Sequence, residues 1–345
     1  MKLRNLNRPI VSSGSVDGWK TLPIVECGEP LVALGAFGSY PQIATDSMYF
    51  GERRSSPYQI GQLRNATLAV FVRERVARRL AKAARLLPIG CMLLVWDGYR
   101  HLSVQRSLFD DYVAVLEGKG IPHDQAVVDA QTFVSIPSND PTRPPPHNTG
   151  GAVDLTVIRF SKEDWREMRR LTAIVRQPET KANWQSIYDA EMRRQWLIRE
   201  ASVPLGMGTV FDGVHPATAT LFYEELDPAL LDDRARASRD NRRILWSVMI
   251  AAGFSNYGEE WWHFDVGNQF HMARTGERAA YGPAVLSPEN EAWEAMRRGH
   301  YAGTVAMIEF KCRVDGADEL SSFVHSVARR TGHPRDTTHP LAARL

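Results

Sequence analysis

The spacing of apolar residues changes several times along the chain, and each change marks an element. Residues 1–60 are punctuated by Gly, Pro and Ser around one apolar stretch, LVALGAF, which predicts loops with one or two short strands. From Ala66 the spacing becomes helical. Ala69, Val72, Val76, Leu80, Ala83 and Leu87 recur at three- or four-residue steps, predicting an amphipathic helix that stops before Pro88. The run CMLLVWDGYR is short, apolar and rich in β-formers, and predicts a central strand ending at the Gly98 turn. A second helix is expected from Ser103 to about Gly118, hydroxyl-capped, with Val104, Leu108, Tyr112 and Val115 as its buried stripe.

After a Pro-rich run to residue 146, AVDLTVI predicts a strand. Residues 161–200 are charged and helical in pattern, with a capping-box-like start at Ser161 and Asp164. Trp184, Ile187, Met192 and Trp196 are placed to cover an apolar face. MGTVFDGVHP is turn-rich, and DDRARASRDNRRILWSVMIAAGF is a long helix closed by Gly253. WWHFDV then reads as a buried strand, and AWEAMRRGHYAGTVAMIEF as a helix followed by a strand. No internal repeat or low-complexity tract is visible. Strands and helices without regular βα alternation predict an α+β fold, a mostly antiparallel central sheet flanked by helices.

Composition narrows the functional classes. With 345 residues and 43% hydrophobic content the chain can bury a substantial core, and a net charge of +2 with interspersed signs provides no field for nucleic acid or membrane. The basic cluster from Arg73 to Arg85 reads as the solvated face of a helix. Three scattered cysteines are too few for a disulfide framework or a thiolate metal site. The opening residues have no apolar run of signal-peptide length, and no stretch of about 18 apolar residues occurs. These features lead us to expect a cytoplasmic protein.

The candidate chemistry lies in HNTGGAVD, beginning at His147, and in EWWH, ending at His263. Two imidazoles and one carboxylate, His147, Asp154 and His263, can fill three corners of a zinc tetrahedron and leave the fourth for water, while Glu260 can act as base. Spacing alone is weak evidence. With ten His and forty acidic residues, an acid seven positions after some His is expected about once by chance. The surrounding text adds the specificity: a GGA linker, an apolar run carrying the Asp, and two Trp between base and last ligand. Alternation of side chains along a strand forbids His147 and Asp154 from sharing one regular strand and one metal. Pro144, Pro145, Pro146, Gly150 and Gly151 instead put His147 on a loop leading into a strand near Ala152, and the residues before Glu260 put it on a turn or bulge. Singly, His147 could cap a loop, Asp154 could bond a backbone amide, and His263 could be a satisfied core imidazole.

Four islands, DGYR at Asp97–Arg100, HNTGGAVDLT at His147–Thr156, MGTVFD at Met207–Asp212 and EWWHF at Glu260–Phe264, resemble the zinc D-alanyl-D-alanine dipeptidases related to the vancomycin-resistance dipeptidase. Those enzymes lie within the D-Ala-D-Ala metallopeptidases, which share a fold with the hedgehog signalling domain. The islands occur in the family's order. The resemblance implies one Zn²⁺ per chain on His147, Asp154 and His263, with Glu260 as catalytic base. It further implies that Arg100 stabilises the oxyanion and that Asp212 sits near the free amino group of a small dipeptide substrate.

Two departures stand out. The family usually carries Ser two residues before the first zinc His, and here that position is Pro145, which has neither hydroxyl nor backbone donor. Relative to compact members, a core of about 30–160 and 203–285 within a single domain would gain a helical insertion at about 161–202 and a C-terminal extension at about 286–345. These additions leave room for a narrowed pocket, a homo-oligomer contact or plain decoration. The expected function is zinc-dependent hydrolysis of D-Ala-D-Ala or a similar dipeptide, serving wall recycling or removal of a glycopeptide antibiotic's target. The alternatives are a D,D-carboxypeptidase on longer wall peptides and a non-catalytic zinc-containing binding module.

Overall fold

The structure is a computed structural model that describes residues 6–35, 40–51, 56, 58, 62–131, 134–178, 180–213, 215–295 and 297–298. In chain order the elements are β1 (Leu31–Ala33), β2 (Ala44–Thr45), β3 (Phe71–Arg73), α1 (Glu74–Ala84), β4 (Cys91–Asp97), α2 (Leu102–Gly118) and α3 (His123–Ala130). They continue with β5 (Ala152–Arg159), α4 (Lys162–Val175), α5 (Trp184–Trp196), β6 (Val203–Pro204), α6 (Phe222–Glu225), α7 (Asp233–Ala252), β7 (Ser255–Asn256), β8 (His263–Asp265) and α8 (Gln269–Thr275). Residues 288–295 are also helical. The strand expected within 292–310, most of the expected C-terminal extension, and Cys312 lie outside the described residues.

Chain contacts divide the molecule into two compact units. The first comprises residues 1–45, 71–99 and 138–284 and holds both sheets. Its main sheet runs β2-β4-β5-β8-β7, with β6 also paired to β5. The α+β class is as expected, but the sheet is mixed rather than mostly antiparallel. β2 lies parallel to β4, whereas the β4–β5, β5–β6, β5–β8 and β7–β8 pairings are antiparallel. The reason is connectivity. A parallel neighbour needs a long crossover, and the chain between β2 and β4 is long and contains α1.

Residues 69–73 depart from the expected helix. Phe71–Arg73 pair antiparallel with β1, and α1 begins only at Glu74. Val70, Phe71 and Val72 are β-formers, all buried, and the strand pairing overrides their helical spacing. α4 starts as expected, but of the residues expected to cover an apolar face Trp196 packs against the sheet cluster while Ile187 and Met192 are not part of it. Ser161 caps α4, its Oγ accepting from the Asp164 amide at 3.1 Å. Met168, Leu171, Ala190, Leu197 and Ile198 cover Met92, Leu94 and Ile158 of the sheet. α7 ends as predicted at Gly253, whose φ of 97° is the left-handed cap.

Among the described residues, the second unit comprises those within 46–70, 100–137 and 285–298. Within it α2 packs on α3 through Phe109, Val113, Leu116, Ala126 and Ala130. The buried stripe of α2 is therefore rotated from the expected one. Val104 and Leu108 are buried, but Val115 is 52% exposed because α3 covers the face carrying Phe109 and Val113. The cap of α2 is His101, whose Nδ1 accepts from the Ser103 amide at 3.1 Å, in place of a hydroxyl. Among the described residues Cys27 and Cys91 are free thiols, and no helix is long and apolar enough to cross a membrane.

Candidate metal centre

Strand register builds the centre. Asp97 on β4 is the cross-strand partner of Asp154 on β5, and Asp154 is in turn the partner of His263 on β8. A register shift between Val95 and Asp97 breaks the regular ladder where β4 meets this row, a common device for re-aiming a side chain beside a site. His147 arrives from outside the sheet, on a single 3-10 turn, Pro146–Thr149. Gly150 ends that turn at φ 68°, and a Cβ on Gly151 would lie 2.6 Å from the Val266 carbonyl oxygen of the adjoining strand segment. The two glycines are thus required for the loop to reach β8 so closely. Arg73 fixes the same loop, donating from Nε to the Thr149 carbonyl at 2.8 Å and from its amide to the Gly150 carbonyl at 2.9 Å.

Outer contacts set the orientation of each imidazole. His147 Nδ1 is 2.9 Å from the Gly98 carbonyl oxygen and 3.1 Å from Asp97 Oδ2, so its proton belongs on Nδ1 and the Nε2 lone pair faces the centre. His263 Nε2 is 3.2 Å from Asp265, leaving Nδ1 to face inward. The inward atoms lie close together: His147 Nε2 to His263 Nδ1 is 3.2 Å, His147 Nε2 to Asp154 Oδ2 is 3.3 Å, and His263 Nδ1 to Asp154 Oδ1 is 2.9 Å. All three residues are buried.

Two ring nitrogens and the two oxygens of one carboxylate do not gather in a dry interior without a positive charge among them. The edge of a tetrahedron around a metal with bonds of about 2.0–2.1 Å is about 3.3 Å, close to the separations here. The donor set therefore fits a small divalent cation. In the metal-free protein a proton takes that place. Burial pulls the His263 pKa down, but Asp265 and Asp154 outweigh it and hold His263 well above the usual imidazole range. Burial likewise pushes Asp154 up, and the His147 and His263 charges and hydrogen bonds more than reverse it.

Glu260 stands on the expected turn, its amide donating to the Tyr257 carbonyl at 3.1 Å. Its Oε2 is 3.9 Å from His263 Nδ1, and the side chain keeps 30% exposure. Enclosure by protein pushes its pKa up to about 7, and the pull of His263 downward is offset by the carboxylates of Asp154 and Asp212. Asp212, on an exposed turn, thus shares the electrostatic neighbourhood of Glu260. Its φ of 53° is a strained value for a residue with a Cβ. The Asp212 turn is fastened by aromatic packing, with Phe211 centred 5.0 Å from Trp96 and 5.4 Å from Trp262. Both Trp261 and Trp262 are buried.

Arg100 falls in the second unit. Its guanidinium donates to Gln105 Oε1 at 2.8 Å and Tyr49 Oη at 2.9 Å and lies 4.4 Å over the Tyr49 ring. His101 and His215 are capping residues, and His271 bonds Ser255 and Glu277. The sequence reading assigned no role to Asp97 or Asp265. The second was detectable, because in HFD the His and Asp are two apart and share one face of a strand.

His147, Asp154 and His263 form a buried cluster that could hold a metal ion, with the Glu260 carboxylate beside it, and the similar proteins are metallopeptidases. The family described as D-ala-D-ala dipeptidase matches residues 163–279, a span containing Asp212, Glu260 and His263. A curated D-alanyl-D-alanine dipeptidase of Synechocystis is 26% identical over 277 residues, covering 74% of this chain and 90% of the relative. The chain is a metallopeptidase related to the D-alanyl-D-alanine dipeptidases. Among solved structures, a mutant vancomycin-resistance D,D-pentapeptidase VanY in complex with Zn(II) is 15% identical, covering 76% of this chain and 97% of that one, with a TM-score of 0.25. VanYB in complex with D-alanine-D-alanine is 23% identical over 43% of this chain and 93% of that one, with a TM-score of 0.23.

Proposed function

We propose that the chain is a zinc dipeptidase that hydrolyses D-Ala-D-Ala or a similarly small dipeptide. The observation that carries this reading is the convergence of one ligand atom each from His147, Asp154 and His263 within 4.8 Å of one another, with Glu260 beside them. His147, Asp154 and His263 would hold one Zn²⁺. When bound, the ion supplies an activated water near neutral pH and polarises the scissile carbonyl.

The chain's own residues do the rest. Glu260 accepts the proton of the attacking water and returns it to the leaving amine. Arg100 holds the negative charge developing on the carbonyl oxygen, and Asp212 pairs with the substrate's free ammonium. That last contact favours a dipeptide, because in a longer chain the corresponding nitrogen is an uncharged amide. Pro145 supplies no hydroxyl to the substrate, so anchoring falls to the remaining polar groups.

Purified protein incubated with D-Ala-D-Ala should release alanine, lose that activity to a chelator and regain it with Zn²⁺. Zinc near one per chain without hydrolysis would identify a binding module instead. Cleavage confined to longer peptides would identify a carboxypeptidase.

A further inference from the structure

Arg242 on α7 is almost fully buried, 2% exposed, and the mechanism above does not use it. Its donors go to main-chain carbonyls of two separate loops: Nε to Met207 at 2.8 Å, Nη1 to Ala219 at 2.7 Å and Nη2 to Ala217 at 2.5 Å. Met207 opens the loop that ends in Asp212. The 217–220 segment in turn braces the turn that carries Glu260. The Trp261 amide donates to the Thr218 carbonyl at 3.0 Å, the Thr220 amide donates to the Gly258 carbonyl at 2.8 Å, and Thr220 Oγ1 reaches the Tyr257 carbonyl at 3.3 Å. The ring closes through Trp261, whose Nε1 donates to Thr209 Oγ1 at 2.8 Å on the Asp212 loop. The guanidinium also lies 4.7 Å over Tyr223 and 5.9 Å from the Trp261 ring.

We propose that Arg242 is a positioning residue which fixes the Asp212 loop against the Glu260 turn, and that this fixed spacing makes the enzyme select dipeptides with a free amino group. The selectivity part rests on the function proposed above. A buried guanidinium is costly to desolvate, and three carbonyl dipoles in a fixed fork compensate it in a way a single ammonium cannot. Asp212 closes the loop that Met207 opens, so its place depends in part on that loop being held. A shift of about 1 Å between groups that must grip both ends of a small substrate costs up to about a hundredfold in rate.

The test uses Arg242→Met and the milder Arg242→Lys in the full chain. Hydrogen exchange on metal-free protein should show faster exchange at residues 207–212 and 258–262 in both variants, with β4 and β5 as protected as in the wild type. The ratio of kcat/KM for D-Ala-D-Ala to that for its N-acetyl derivative should fall about tenfold or more, an effect that general loss of stability would not produce. Unchanged exchange at those two segments would overturn the proposal, whatever the activity. An unchanged ratio would overturn the selectivity part. Should Arg242→Met not fold, Arg242→Lys carries both measurements. A wild-type protein that hydrolyses neither compound refutes the proposed function and with it the selectivity, while the exchange data still decide whether Arg242 holds the loops.

Discussion

His263 and Asp265 lie two residues apart on β8, so they face the same way, and Asp265 stands 3.2 Å behind the Nε2 of the imidazole whose Nδ1 faces Asp154. Asp265 is itself anchored by the Asn268 side chain, whose Nδ2 donates to it at 2.6 Å, and by the Arg274 guanidinium. Carboxylates in this position fix the tautomer and ring angle of a metal-binding histidine and raise its basicity.

Asp265→Asn should therefore leave the fold in place but weaken zinc binding about 10- to 100-fold. Competition against a chromogenic chelator measures this directly. Wild-type affinity in the variant would show that Asp265 serves stability alone.

Glu260→Ala should retain about one zinc per chain and lose at least about a hundredfold in kcat, as expected when a general base is removed. Metal analysis and steady-state kinetics on one preparation separate the two effects. A variant with full activity would remove Glu260 from the mechanism.

Zinc capture should release a proton at neutral pH. His263 is held well above the ordinary imidazole pKa in the metal-free protein, so below that raised value the ion must displace a proton from it. Affinity should then fall about tenfold for each pH unit of acidification in that range. The same shift has a stability consequence: the metal-free fold keeps the contribution of protonated His263 at low pH and loses it as pH rises through the folded-state pKa. Calorimetry in buffers of different ionisation enthalpy counts the protons, and a buffer-independent heat would contradict the assignment.

Gly151→Ala should destabilise the protein by about 2 kcal/mol, because the added methyl meets the Val266 carbonyl at 2.6 Å and backbone cannot step aside cheaply. Thermal melting checks this. The variant should also bind zinc more weakly, since β5 and the His147 turn meet at that residue.

Much of this arrangement is legible from residue order alone. Pro and Gly around His147 exclude a strand and the apolar AVDLTVI run demands one, so a loop-borne His beside a strand-borne Asp follows from backbone chemistry. The turn at Glu260 follows in the same way from Asn256, Gly258 and Glu259. Other features depend on tertiary contacts that spacing does not encode. Phe71–Arg73 lies in a run of helical periodicity and becomes a strand because β1 is there to pair with it. The stripe of α2 rotates because α3 covers a particular side. The parallel β2–β4 pairing depends on how the intervening chain returns, and two-residue β2 leaves no pattern to read. The bracing by Arg242 was hidden for a related reason: one Arg among several in the charged first half of a long helix looks like solvent-facing charge until its carbonyl partners are located.

β5 is apolar on both faces, with Ala152, Val153, Leu155, Val157 and Ile158 all fully buried. Hydrophobic burial consequently gives this strand little means of distinguishing two alignments one residue apart, although such a slip would turn every side chain over. The Asp97, Asp154, His263 row does distinguish them, since only one alignment gathers the groups that can capture an ion. A bound cation would thus act as a proofreader of assembly, rewarding the correctly aligned sheet and leaving a slipped one unsecured.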